Sequence, residues 1–483
     1  MKRFAILDIR DHNSKPRSVL LIMSGVACLT LSLGIGVAAT VCATGGTVRQ
    51  LTFDSKNHCL DNNDNFSPDD RFLCFDTRPP DGNIANGRTI EKVDIETGKI
   101  TVLYEAENPR QDFGPGMGAV SYSPVADEGM FICGKLTSLG LKYEKHRRFG
   151  RVAAGDGSGK TWIMDARDVT PPFTPGALRG GTHRHEPDAT GKWVGYTYND
   201  QIMHALGKDL RTIGVTQLGK PVKTDRDPKG ENHDGEGWSV LVVRVTPDPK
   251  PGSDEINQAA GDSWVGTHGY QRADGKRQLA RAFLGRVKDK NGREVEEVFI
   301  VDIPADLTKP GAWGPLEGTE DSFPQPPAGT VQRRLTFSTE KKIPGAQGVV
   351  RSSPDGSQLS FIMADESGIP QVFLISPLGG EPHQATFEPD GVTLSARWHP
   401  SGNSFLTVNK KGQLIVVNAV PGDGFGKAIP LTEAGEPEAF DFVWSRKGNL
   451  IAFGRTMPDK NGNPWKQIFV MDFPDSNRDG LPD

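Results

Sequence analysis

Ser352-Ser-Pro-Asp-Gly-Ser-Gln-Leu-Ser-Phe-Ile362 sets a tight turn directly in front of an apolar strand. Pro354 fixes φ at the first corner, and Asp355-Gly356 supplies residues that tolerate positive φ. The apolar residues on either side then pair as a hairpin. The same unit recurs along the chain. It reads Phe66-Ser-Pro-Asp-Asp-Arg-Phe-Leu-Cys-Phe75, Tyr122-Ser-Pro-Val-Ala-Asp-Glu-Gly-Met-Phe-Ile132 and His185-Glu-Pro-Asp-Ala-Thr-Gly-Lys-Trp-Val-Gly-Tyr196. It returns as Trp398-His-Pro-Ser-Gly-Asn-Ser-Phe-Leu-Thr-Val408 and Trp444-Ser-Arg-Lys-Gly-Asn-Leu-Ile-Ala-Phe453, with a degenerate copy from Tyr270 to Phe283.

A third strand follows each unit, at 89–95, 161–165, 298–302, 371–375, 413–417 and 467–472. A fourth, shorter strand often carries Leu-Thr, as at 49–53, 334–337 and 430–432. Repeats of four strands each bury their faces only against neighbouring repeats, which describes a β-propeller. The expected fold is therefore all-β, with seven four-stranded blades over 48–472. Six or eight blades fit if the irregular fourth unit at 205–297 divides differently. The chain starts on a fourth-type strand and stops on a third-type one, so the N-terminal strand should close the last blade. The 305–330 stretch, rich in Pro and Gly, reads as a surface loop.

Composition agrees. The chain has 57 Gly and 36 Pro in 483 residues, about one in five, against roughly 12% in average usage. That excess excludes helical bundles and coiled coils. The net charge is −5. Residues 1–43 carry +3 and the remainder −8, so the body offers no electrostatic reason to bind nucleic acid. An uncharged run, 18–43, follows that basic start and reads as a signal peptide or an N-terminal membrane anchor. Either reading places the body outside the cytoplasm, in the periplasm or secreted, with membrane contact only through the leader. Cys59, Cys74 and Cys133 remain beyond it; a Cys59–Cys74 disulfide and three small core thiols are both compatible.

Several strings resemble one family. Asp168-Val-Thr-Pro-Pro-Phe-Thr-Pro-Gly-Ala-Leu-Arg-Gly-Gly-Thr-His-Arg-His185, Tyr196-Thr-Tyr-Asn-Asp200 and Pro251-Gly-Ser-Asp-Glu-Ile-Asn257 are similar to the signature of the YidR-like proteins, a bacterial family of TolB-like propellers. That resemblance implies the propeller fold and no particular activity. A second resemblance is to oligogalacturonate lyases, propellers that hold a divalent metal through histidines including a His-x-His at the start of an inner strand. Here Thr182-His183-Arg184-His185 stands in such a place.

The candidate chemistry follows from these residues. In a regular strand His183 and His185 share one face, so both could meet a divalent transition metal, with His268 or His233 as a third ligand. His233 and Arg244 are the candidates for catalytic groups, and Arg179 and Arg184 for pairing with substrate carboxylates. The alternative is that all are rim residues bonded to neighbouring loops. The tail 473–483 offers Asp475, Asn477, Asp479 and Asp483 as oxygen donors for calcium, or is simply polar. Gly155-Asp-Gly-Ser-Gly-Lys-Thr161 lacks the spacing and the helix of a phosphate loop and reads as a hairpin turn. No Gly-x-Ser-x-Gly nucleophile elbow is present. Two functions are thus expected in competition: a monomeric binding module presenting its rim or channel mouth to an envelope protein or glycan, and a metal-dependent lyase acting on acidic oligosaccharides.

Overall fold

The computed structural model describes residues 46–482 apart from 61–63, 80, 107–115, 135–139, 226, 228–229, 342–344 and 476–478, together with two strands at 30–33 and 37–41. The strands form seven antiparallel blades in a ring. Blade one consists of Phe72–Asp76, Thr89–Asp94 and Ile100–Glu105, and its innermost position is held by isolated bridges from Cys59 and Phe66. Blades two to six each have four strands, starting from Gly118–Tyr122, Gly180–Pro187, Ala259–Trp264, Gln347–Ser352 and Arg397–Trp398 at the axis. Blade seven is Phe440–Trp444, Leu450–Pro458 and Pro464–Asp472, completed by Thr47–Gln50 from the other end of the chain. Val48 pairs with Met471 and Gln50 with Phe469, so backbone hydrogen bonds close the ring. Val37–Val41 and Thr30–Leu33 extend that sheet outward. The rest of the leader lies outside the described residues. Among the described residues no helix is long and apolar enough to cross a membrane.

Alternation along each strand explains the ring. Successive side chains point to opposite faces, and each face packs on a different neighbour. Leu73 and Phe75 join the core shared with blade seven, whereas Cys74 between them joins the core shared with blade two. Leu359 and Phe361 face blade four, and Ile362 faces blade six. Each of the seven blade joints has such a cluster. The apolar burial lies between blades, and the axis is left to other residues.

The structure corrects several boundaries. The third strand of blade two is Phe149–Ala154, and Thr161–Ile163 is its outermost strand. The Asp156–Lys160 turn joins the two, as a hairpin should. Blade three runs to Gly235–Leu241, because the long strand Thr212–Val222 doubles back within it. Blade four thus begins only at Ala259, and the degenerate repeat is a small hairpin, Tyr270–Gln271 with Arg277–Gln278, set before its second strand. The 305–330 segment is more than a surface loop, since Leu307 and Leu316 are buried in the joint between blades three and four. Cys59, Cys74 and Cys133 are buried and form no disulfide among the described residues, and burial pushes the Cys59 thiol up to about 12. In the tail, Asp475 accepts the backbone N–H of Asp479 and Gly480, while Asn477 and Asp483 lie outside the described residues.

Candidate functional site: an arginine-lined channel

The innermost strands share a device that period-two reasoning does not foresee. Pairing slips by a bulge between Gly118 and Ser121, His183 and Glu186, Ala260 and Ser263, Gln347 and Arg351, and Phe440 and Val443. Each slip contains a left-handed residue: Ala119, Arg184, Gly261, Gly348 and Asp441, with φ between 51° and 83°. A bulge inserts an extra residue and re-aims the side chains around it. Blades four and five use glycine there, which adopts this conformation freely. Blade three uses an arginine.

A second position, just before the inner-strand turn, carries a repeated role. Asn65 in blade one donates to the Val120 carbonyl of blade two at 3.2 Å. Ser121 in blade two donates to the His185 carbonyl of blade three at 2.7 Å. Ser263 in blade four donates to the Val350 carbonyl of blade five at 2.6 Å. In each case a small polar side chain satisfies a carbonyl beside the next blade's bulge, as buried backbone groups require. At the same register, judged from the turn closures at Asp188, Ser353 and His399, blades three, five and six place Glu186, Arg351 and Arg397.

These residues line three successive cavities along the axis. The outer one, about 360 Å³, has Arg351, Arg397 and Arg446 with Trp264, Trp398 and Trp444 in its wall. The middle one, about 190 Å³, is lined by Arg184, Arg351, Arg397 and Asp441. The inner one, about 330 Å³, is lined by His183, Arg184, Arg211 and Asp262. Arg351 and Arg397 border the first two, and Arg184 the last two.

Positive charge is in excess around the middle and inner cavities, where Arg184, Arg211, Arg351 and Arg397 face Asp262 and Asp441, whereas the outer cavity balances its three arginines with Asp64, Glu186 and Asp188. Arg281, 1% exposed, pairs with Glu186 at 2.8 Å and with Asp262, and its guanidinium lies over the Trp264 ring. Arg351 reaches the other oxygen of Glu186 at 3.5 Å. Those two acids are thereby engaged, and among the described residues Arg148, Arg184 and Arg211 form no ion pair. The buried Nε–H groups of Arg148 and Arg351 meet no acceptor among the described residues. Burial, and then the neighbouring charge of Arg184, lowers Arg397 to about 10. Burial followed by Arg397 lowers Arg351 as well. An anion among these groups would relieve both penalties.

The sequence candidates separate. The bulge at Arg184 breaks the alternation that would have set His183 and His185 on one face. His183 borders the inner cavity, where Arg211 donates to its Nδ1 at 3.2 Å. Arginine always donates, so the neutral ring carries its proton on Nε2 and acts as a donor. Burial, then Arg148, Arg211 and Arg184, holds that ring neutral. His185 is fully buried between blades two and three and lies against Tyr196. His233 packs on Phe149, with its backbone paired to Arg167, and His268 is exposed beyond the inner strand of blade four. Among the described residues no group of three His, Cys, Asp or Glu side chains is disposed to hold a metal. A donor imidazole among arginines does not fit one either. Arg179 is 1% exposed, bonded to Asp200 at 2.9 Å and to the carbonyls of Thr319 and Ser322. Arg244 stacks on Trp313 in a cavity that shares no residue with the channel. Of the proposed site residues, only His183 and Arg184 border the channel cavities. Sequence reasoning missed Arg211, Arg351 and Arg397.

Behind the channel lies a buried acid–base pair. The Asp165 carboxyl and the His185 Nε2 both bond the Thr182 hydroxyl, at 3.4 and 2.8 Å. Burial raises Asp165 to about 7; burial, then Arg148, lowers His185 to about 3. The raised carboxyl contributes stability that is lost as pH climbs from 3.8 through 7. The depressed imidazole contributes stability that is lost as pH falls from 6.5 towards 3. Between about pH 4 and 6.5 the two slopes oppose and nearly cancel. In Asp165→Asn only the imidazole slope remains, so stability should rise across that window by about 1.4 kcal/mol per pH unit relative to wild type. Urea denaturation of both proteins at the two ends of the window checks this; equal pH slopes would contradict it.

Comparison with known proteins supports the architecture. A family model described as Protein of unknown function (DUF3748) matches residues 116–232. The chain is 39% identical over 417 residues to the uncharacterized protein YidR of Escherichia coli K12, covering 84% of this chain and 94% of that protein. An oligogalacturonate lyase in complex with manganese superposes with a TM-score of 0.54 at 12% identity, over 91% of this chain and 97% of the other. An oligogalacturonate lyase from Vibrio parahaemolyticus superposes at 0.50 and 11% identity, over 93% and 100%. At these identities the structural likeness is one of fold. By its identity to YidR along most of both chains, this propeller belongs to the YidR-like family.

Proposed function

We propose that the protein is a binding module whose central channel captures an acidic saccharide by its carboxylates. The observation that carries this reading is a substitution within the protein's own repeat. Where blades two, four and five place Ala or Gly at the inner-strand bulge, blade three places Arg184 and blade seven Asp441. Where blades one, two and four place Asn or Ser to tie the inner strands together, blades five and six place Arg351 and Arg397. The ring closes with small residues at those positions, so the arginines answer to something other than closure. Planar guanidinium groups match carboxylates bidentately. Trp398 and Trp444 in the wall of the outer cavity supply apolar faces.

The donor-rich channel supports capture rather than chemistry. His183 presents an N–H, and among the described residues lining the inner cavity no second imidazole stands beside it to act as a base. The reading takes the ligand to be an envelope glycan, consistent with the secretory character of the leader. Calorimetric titration with trigalacturonate tests it. Arg351→Gln/Arg397→Gln should weaken binding at least tenfold and flatten its dependence on salt, since each charge-assisted bond is worth roughly 1.5–3 kcal/mol. An unchanged affinity in the double variant would overturn the assignment.

A further inference from the structure

We propose a second binding site on the flank of the ring, formed by the 305–330 segment and the 244–256 connection, for an amphipathic carboxylate: a small apolar ring or chain ending in one carboxyl group. The cavity there encloses about 600 Å³, within the usual size of a small-molecule site. It shares no lining residue with the channel cavities.

The wall of this cavity is fixed. Leu307 and Leu316 are buried in the joint between blades three and four. Pro310 and Pro327 bridge the neck of the segment. Further along, the carbonyls of Thr319 and Ser322 are held by the buried Arg179. A segment pinned at three places stands off the blade instead of collapsing onto it. Beneath it, Val242, Ile256 and Phe299 form an apolar floor.

The lip supplies the polar specification. Trp313 is 63% exposed, and the Arg244 guanidinium lies 3.9 Å from its ring centre. Arg244 is itself exposed and forms no ion pair among the described residues. The acids of the opposite wall are engaged: Asp254 lies 3.5 Å from Arg334, and Glu255 accepts the Lys250 N–H. The Thr330 hydroxyl is buried in the wall and meets no hydrogen-bond partner among the described residues. A ligand with an apolar body takes the exposed Trp313 ring out of water while resting on the apolar floor, and its carboxylate completes Arg244. A neutral ligand of the same shape forgoes the second interaction. A polyanion meets Asp254 and Glu255, which separates this site from the channel.

Titration with 4-phenylbutyrate, beside its neutral counterpart 4-phenylbutanol, tests the site by calorimetry and by quenching of tryptophan fluorescence. The acid should bind with one-to-one stoichiometry and at least tenfold more tightly than the alcohol. Arg244→Gln should bring the acid down to the affinity of the alcohol. Trp313→Phe should remove most of the quench while retaining binding, and Trp313→Ala should weaken both ligands. All these side chains are exposed, and unchanged thermal unfolding confirms that the variants fold. Arg184→Gly should leave this binding untouched. Absence of saturable binding, equal affinity for acid and alcohol, or loss of binding in Arg184→Gly but not in Arg244→Gln would each overturn the proposal.

Discussion

Arg184→Gly is expected to raise the stability of the propeller by about 1 kcal/mol while weakening its hold on an acidic saccharide tenfold or more. Most substitutions at a site residue lose stability, so a gain here would be diagnostic. The gain has two sources. Arg184 holds φ at 58°, a conformation that side chains with a Cβ resist and glycine accepts. Gly261 stands at the matching bulge of blade four with φ 63°, which shows that the fold takes glycine there. Arg184 also adds its charge to the field that depresses Arg397, Arg351 and His183. Removing it lightens the repulsion the folded state carries. Arg184→Ala separates the effects, because alanine loses the guanidinium yet retains the strain. It should bind as poorly as the glycine variant and be the less stable of the two. Chemical denaturation and calorimetry on the three proteins decide the matter. A glycine variant less stable than wild type would mean that Arg184 holds the ring together, and the case for a functional residue would lose its basis.

Arg179→Ala should produce the largest loss of stability of the substitutions discussed, about 3–5 kcal/mol. Arg179 and Asp200 are 1% and 0% exposed and bonded at 2.9 Å. Asp200 also accepts from Tyr198 and from the Met203 N–H that opens a short helix. Truncating the arginine leaves that carboxylate buried without its counter-charge. It also releases the Thr319 and Ser322 carbonyls, and with them one anchor of the 305–330 segment. Two signatures should accompany the loss. Limited digestion with a glutamate-specific protease should cut after the exposed Glu320, between the two released carbonyls, in the variant and spare the wild type. Adding Asp200→Asn should recover part of the stability, because it removes the stranded charge. A variant with wild-type stability and protease resistance would return Arg179 to the role of a ligand-facing residue.

The repeat was legible in the sequence because turns are local. Ser-Pro-Asp-Gly at 353–356 fixes its backbone with little help from the rest of the chain, and the strands that follow alternate as a two-faced sheet must. Closure by the N-terminal strand was legible for the same reason, from the order of strand types at the two ends. The site was legible only in part. His183 and His185 were paired by assuming an unbroken strand, and a left-handed Arg184 between them removes that premise. Nothing in a single bulge announces itself when its left-handed residue is arginine instead of glycine. The division between blades three and four failed because Thr212–Val222 is long and polar at its far end, where it resembles a linker. Arg351 and Arg397 did carry a signal. Each stands three residues before the turn proline of its repeat, where blades one and two carry Asn65 and Ser121. Aligning the blades by their turns, and reading the column before each turn, would have exposed the set.

One comparison decides whether carboxylates are what the channel holds. Trigalacturonate and the uncharged galactose trimer of the same linkage are titrated into the wild-type protein at low and at high salt. The acidic trimer should bind one-to-one, at least tenfold more tightly than the neutral one, with that preference shrinking as salt screens the arginines, and should be recovered uncleaved. Equal affinity for the two trimers, or no saturable binding of the acidic one, would contradict the assignment of Arg184, Arg351 and Arg397 as its binding residues.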